Sequence, residues 1–371
     1  MDKIPRNWII WGGSAAVVIV VLLAAFGVFG SLFHKPYPIL VQVGEKCGFI
    51  DNKGNYVVSP QFASASAFNT HSGLASVNIG GKLGFIDRSG KIVINPQYDN
   101  TYNEIMVDIN VNNLGVDGFS NNGLVGVEMG NKWGFADKDG RLVITPQFDS
   151  ENNFWGGSKL TLVTVNNQTG YIDTSGKYVI NPQFQAAQQF TESGGLAAVE
   201  MGNKWGYIDE SGKIVINPQY AAAGHFDPRS GLAAVEINNK WALIDKTSKL
   251  VINPLYDEEP AFGDNDLILI KLNGKYGFID RSGKTVINPQ FDYAYAFTLG
   301  LASVRTGNSW GYIDESGKLA IPMQFDGAMP FDKDTHMAGV KMGGKWGFID
   351  TKGRYTVNPQ FDYAVWQCPS Q

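Results

Sequence analysis

Nine aspartates recur at nearly constant intervals along the chain: Asp51, Asp87, Asp137, Asp173, Asp209, Asp245, Asp280, Asp314 and Asp350. A row of carboxylates could serve as a general acid–base pair or as a ladder for cations. Acid–base chemistry needs one pair in unlike environments, so that one carboxyl holds its proton while the other ionises. Nine equivalent copies lack that contrast. Each instead opens a four-residue segment such as Asp209-Glu210-Ser211-Gly212, in which Asp bonds the turn's amides and Gly closes a bulged hairpin. Copy six has Ser248 in place of that Gly, which predicts a strained or differently shaped turn. Asp137-Lys138-Asp139-Gly140 is loosely calcium-like but lacks the twelve-residue ligand set with its closing Glu.

The aromatic residues are a second source of chemistry. Trp133, Trp205, Trp241, Trp310 and Trp346 each precede a Gly or Ala in a strand-like run. Residues two apart in a strand share a face, so Trp205 and Tyr207 lie together. Such a face either packs between units or offers a repeated stacking surface for sugar rings. These five tryptophans, Tyr207, and Trp155 in the link Asn153-Phe154-Trp155-Gly156-Gly157 are the candidate binding surface. No catalytic, cofactor-binding or metal-binding residue is predicted. His34, His71, His225 and His336 have no ligand spacing and read as surface or linker residues. The two cysteines, Cys47 and Cys368, stand at opposite ends and form neither a disulfide framework nor a metal motif. There is no Gly-x-Ser-x-Gly and no phosphate-cradling glycine loop.

Each copy reads as three short strands. A first strand such as Leu196 to Glu200 leads into a dipeptide like Gly202-Asn203, suited to the positive φ of a two-residue hairpin. The second strand carries the Trp-Gly pair and ends at the Asp. The third, Ile214-Val215-Ile216, runs into Asn217-Pro218, where the strand should end or become an edge. An aromatic follows each such exit (Tyr220 in copy five) and is expected to plug the seam between neighbouring units. The spacings between successive Asp residues are 36, 50, 36, 36, 36, 35, 34 and 36, so one insertion interrupts the register, at about 100–122. Within it Ile105, Val107, Ile109 and Val111 alternate with Met106, Asp108 and Asn110, which predicts an extra strand.

The N-terminus differs in kind. Residues 1–7 carry Lys3 and Arg6, and Trp8 to Phe33 then run 26 residues without a charge. As a helix that stretch spans about 39 Å, enough to cross a bilayer. The expectation is a cytoplasmic 1–7, a transmembrane signal-anchor helix at 8–33, a linker at 34–37, repeats over 38–366 outside the cytoplasm, and a tail at 367–371. A net charge of −5 without a basic block argues against nucleic acid.

The run Lys204-Trp205-Gly206-Tyr207-Ile208-Asp209, continuing through Gly212-Lys213 to Pro218-Gln219-Tyr220, resembles the WG (KWG) repeat of bacterial proteins; 132–148 and 345–361 are similarly close. Cys47, Leu83, Thr169 and Tyr276 replace the Trp, and Ala242 replaces one Gly. The resemblance implies arrays of short β units, often behind a membrane segment, and defines no catalytic residue.

The expected fold is all-β: a tandem array of three-stranded β-meander repeats, with an open superhelix favoured over a propeller-like ring, preceded by one transmembrane helix. A blade normally has four strands, and closed rings typically stop at eight. A bond between Cys47 and Cys368 would require the two ends to meet. The expected function is a non-enzymatic binding or scaffolding module, membrane-anchored, for a protein or cell-wall polysaccharide partner, without a cofactor. The alternatives are a cell-wall-associated hydrolase with its site in an irregular repeat, or a purely structural stalk.

Overall fold

The Gly and Asn hairpin pairs take the backbone conformation their side chains permit: Gly202 has φ 60° and Asn203 φ 59°, six other copies follow, and in copies 1 and 8 only the first residue, Gly44 or Gly307, has positive φ. A computed structural model describes residues 37–69, 72–101, 119–151, 154, 158–190, 195–362 and 367–368. These form nine antiparallel sheets, one per repeat, numbered here as blades 1 to 9. Blade 5 is representative: a short strand Ala186–Ala187, then long strands Ala197–Met201, Lys204–Ile208 and Ile214–Tyr220, paired in that order.

The fourth, short strand was not expected from the sequence. It comes from the link after the exit aromatic and pairs with the following repeat, as Ala186↔Glu200 and Ala187↔Val199. The link is therefore part of the next sheet. This joins each of blades 2 to 9 to the one before it and adds the strand that three-stranded repeats lack.

The third long strand does not stop at its proline. It runs through Asn217-Pro218 to Tyr220 as the sheet edge, where a missing N–H donor is tolerated. Its register against the second strand shifts, with Trp205↔Tyr220 followed by Tyr207↔Ile216. Three residues thus arch over the single Gly206. A Cβ on Gly206 would lie 2.5 Å from the Ile216 carbonyl oxygen and 2.6 Å from the Pro218 nitrogen. The glycine after the Trp suits this close approach, although blade 6 builds the same register with Ala242.

The nine blades close into a ring, and the open superhelix is corrected to a propeller arrangement. Where the turn of blade 5 lies on blade 4, a Cβ on Gly212 would sit 3.3 Å from Ile180. A Cβ on Gly54 of blade 1 would sit 3.2 Å from Val357 of blade 9. Val41 and Ile50 share one core cluster with Phe348, Val357 and Phe361. The strand Gln367–Cys368 pairs with Ala65–Ser66 of blade 2. Cys47 is disulfide-bonded, and the sequence contains one other cysteine, Cys368.

The core lies in the seams between blades. Tyr207, Ile216 and Tyr220 of blade 5 cluster with Ala223, Phe226, Ala233 and Val235 of blade 6. Tyr207 meets Phe226 at a centroid distance of 4.8 Å, and Tyr171 with Phe190, Phe278 with Phe297 and Tyr312 with Phe331 repeat the pair. The exit aromatics do plug the seams: Tyr98, Phe148 and Phe325 are each 1 % exposed.

Among the described residues no helix is long and apolar enough to cross a membrane. The segment expected as a signal anchor, 8–33, lies outside them, as does the strand expected at 105–111.

Candidate functional site

The turn aspartates are held by the turns they build. Asp209 Oδ1 accepts from Ser211 Oγ at 2.6 Å, Ser211 N at 3.0 Å and Lys213 N at 3.1 Å. These bonds, the Ser211 hydroxyl first, hold the carboxyl below its ordinary value, and Asp87, Asp173, Asp280 and Asp314 follow with their own serines. Each is matched to its local turn, so the row offers no contrasting acid and base. Ser248 keeps the same turn at φ 69° and donates its N–H to Asp245 O at 2.9 Å. The turn is strained for a non-glycine residue but not reshaped.

A second set of aspartates, which the sequence reading did not single out, lies directly after the exit aromatic and bridges blades. Asp149 takes Lys132 Nζ of blade 3 at 2.5 Å and Asn166 N of blade 4 at 2.7 Å. Asp257 and Asp292 do the same for later seams. Their recurrence beside the strand-two Lys, 17 residues apart, was the available signal.

The expected site residues occupy one lateral row in each blade. The row runs from the short strand through the first and second long strands to the exit aromatic: Ala186, Glu200, Trp205 and Tyr220 in blade 5. Trp133, Trp205, Trp241, Trp310 and Trp346 are all half-buried against the seam clusters. Tyr207 is fully buried, with its hydroxyl donating to Gly224 O at 3.0 Å, so it belongs to the core and offers no surface. Burial also pushes its hydroxyl pKa upward. Trp155 lies outside the described residues. His225 is not a surface residue either: burial pushes its imidazole down to about 4, against the opposing bond to the Gln189 carbonyl.

The rows differ most where the motif changes. The residue facing the aromatic is Glu128, Glu200 or Glu236 in blades 3, 5 and 6, and Lys271, Arg305 or Lys341 in blades 7, 8 and 9. In blade 8, Tyr293 and Tyr295 pack on Trp310 at 5.6 and 5.9 Å, and the Arg305 guanidinium lies 5.8 Å from the Trp310 ring centre. In blade 4 the row reads Ser150, Thr164, Thr169 and Phe184, with Thr169 in the tryptophan's place. A solvent-open pocket of about 390 Å³ occupies this seam, lined by Ser150, Leu162, Thr164, Asn167, Thr169 and Gln185, together with small alanines. Thr164 and Thr169 hydroxyls lie 3.3 Å apart. A second depression, about 430 Å³, lies at Asn265, Asp266, Leu267 and Glu315, away from the rows. Among the described residues no group of three or more His, Cys, Asp or Glu is placed to hold a metal ion.

Nine antiparallel sheets in a closed ring, seven of them four-stranded, one three-stranded and one five-stranded, define a β-propeller built from one repeated sequence. The chain belongs to the WG containing repeat family, whose profile matches residues 48–82, 84–104, 133–167, 170–205, 205–241, 242–276, 276–309, 310–346 and 346–365. No curated protein matches it in sequence. Among solved structures, a eukaryotic initiation factor matches with a TM-score of 0.62 at 11% identity, covering 89% of this chain and 98% of that one. At that identity the likeness concerns the fold alone. A dihydro-heme d1 dehydrogenase, NirN, reaches a TM-score of 0.46 at 14% identity over 78% of this chain and 74% of its own.

Proposed function

We propose that this protein is a non-enzymatic binding and scaffolding module, held at a membrane by residues 8–33 with its propeller outside the cytoplasm, and that its partner is a protein or a cell-envelope glycan. The observation that supports this reading is how the motif residues are used. The turn Asp, the hairpin Gly and Asn, the bulge Gly and the exit aromatic are each engaged in building blades. Variation between copies falls instead on the lateral rows, from Glu200 to Arg305 to Thr164. A constant frame with varied rows suits recognition rather than turnover. The uncharged stretch from Trp8 to Phe33 supports the anchor.

Recovery of the full-length protein from its native envelope, with its bound components identified, tests the reading. A stoichiometric protein or glycan partner is expected. Recovery of the chain alone, together with hydrolysis of envelope polysaccharide by the purified protein, would overturn it. A reporter fused after Gln371 tests the orientation, with activity outside the cytoplasm expected.

A further inference from the structure

We infer that the seam pocket between blades 4 and 5 is a binding site for an uncharged sugar unit, a proposal that rests on the glycan form of the reading above. The pocket has a cause in the sequence. Five of the nine repeats place an indole where blade 4 has Thr169. Tyr276 fills the equivalent place in blade 7 and is 4 % exposed, and Leu83 in blade 2 is 9 % exposed within its own core cluster. Thr169 is too short to reach across the seam. The neighbouring row positions are also small, Ser150 on one side and Ala186 and Ala187 on the other, so about 390 Å³ stays open. That lies within the usual size range of small-molecule sites.

The lining sets the ligand's chemistry. None of the residues is charged. Ser150, Thr164 and Thr169 bring three hydroxyls, each able to donate and accept, and Asn167 adds an amide. The Gln185 amide is already committed to Asn203, donating to its Oδ1 at 3.0 Å and accepting from its N–H at 3.1 Å. Leu162 borders the pocket from the core cluster and is only 4 % exposed, so the lining is mainly polar. A sugar's hydroxyls match this set, because each can pair with a wall group in either sense. A partner's inserted indole would fit the volume but offers a single N–H donor to a wall whose Thr164 and Thr169 hydroxyls already pair with each other and whose Ser150 hydroxyl and Asn167 amide would lose water. A uronate or phosphate would find no cation in the lining.

The test is to complete the repeat. Full-length protein and its Thr169→Trp variant would be titrated with tetramers of N-acetylglucosamine and of glucose, the corresponding monosaccharides, and a tetramer of galacturonic acid. Thr169→Trp restores the residue found in five other blades, so its melting curve is expected to match the parent. The parent is expected to bind a neutral tetramer, with Thr169→Trp weakening that binding by at least about tenfold and Thr164→Val by severalfold. Should Thr169→Trp fail to fold, Ser150→Tyr blocks the same pocket from the other strand. Neutral-glycan binding that survives both variants would overturn the pocket while leaving the glycan reading intact. Preference for the galacturonate tetramer would overturn the assigned chemistry. Binding to no sugar, alongside recovery of a protein partner from the envelope, would overturn the inference and leave the scaffold reading standing.

Discussion

The backbone N–H of Gly44 donates to Asp362 Oδ2 at 3.1 Å across 318 residues of sequence. The same bond joins Asn166 to Asp149 and Gly274 to Asp257 between consecutive blades. Blade 9 therefore treats blade 1 as its next repeat. Lys345 completes the Asp362 bridge as Lys132 completes that of Asp149. These pairs are about half exposed and add little stability individually, but they mark the closure geometrically.

If the ring closes in solution, non-reducing mass spectrometry will find Cys47 crosslinked to Cys368. Closing so long a loop removes chain entropy from the unfolded state, on the order of 5 kcal/mol in the chain-entropy account. Reduction should lower the denaturation midpoint, and Cys47→Ser should reproduce the effect without reductant. An unchanged midpoint would show that the bond adds nothing to closure.

Gly206→Ala should destabilise by about 1–3 kcal/mol, because its methyl would press on the Ile216 carbonyl and the Pro218 backbone. Ala242→Gly tests the converse. Blade 6 holds the same register with alanine at this point, so the change there should be small. Urea midpoints for the two variants check both.

Tyr207→Phe should cost about 1–2 kcal/mol, since the Gly224 carbonyl loses a buried donor. Phe135→Tyr in blade 3 would introduce a hydroxyl where that blade has phenylalanine. Comparing the two by thermal denaturation separates hydroxyl pairing from ring packing.

His225 makes stability depend on pH. Its folded value of about 4 lies below the ordinary 6.5. Between those values the unfolded chain binds the proton and the folded chain does not. Stability is therefore full above about pH 6.5 and falls as pH drops toward 4, by about 3 kcal/mol from this residue. His225→Gln should flatten that part of the profile relative to the parent. The turn aspartates act at lower pH. With folded values held below 3.8, their contribution is present above that value and is lost as pH falls through the folded one.

Local chemistry was legible in the sequence because it repeats within one turn or one hairpin. Asp209 with Gly212, Gly202 with Asn203, and Tyr220 after Pro218 each state their role through neighbours a few residues away, and the structure places them accordingly. The family, the all-β class and the seam role of the exit aromatic followed from that periodicity. The two-residue strand Ala186–Ala187 did not, because its pairing partner lies in the next repeat and two alanines carry no strand signal. Phe226, six residues after Tyr220, recurs as Phe190 and Phe297 and could have been found by the same indexing.

The tertiary structure alone decided between an array and a ring. Each repeat specifies how it meets its neighbour, but closure depends on the sum of nine small rotations, which no single seam encodes. Gly54 on Val357 and Gly44 on Asp362 show that the sum returns to its start. The same is true of the site. Thr169 reads as a weak copy of the motif in sequence, and becomes a pocket only when blade 5 stands across the seam without an indole to meet it.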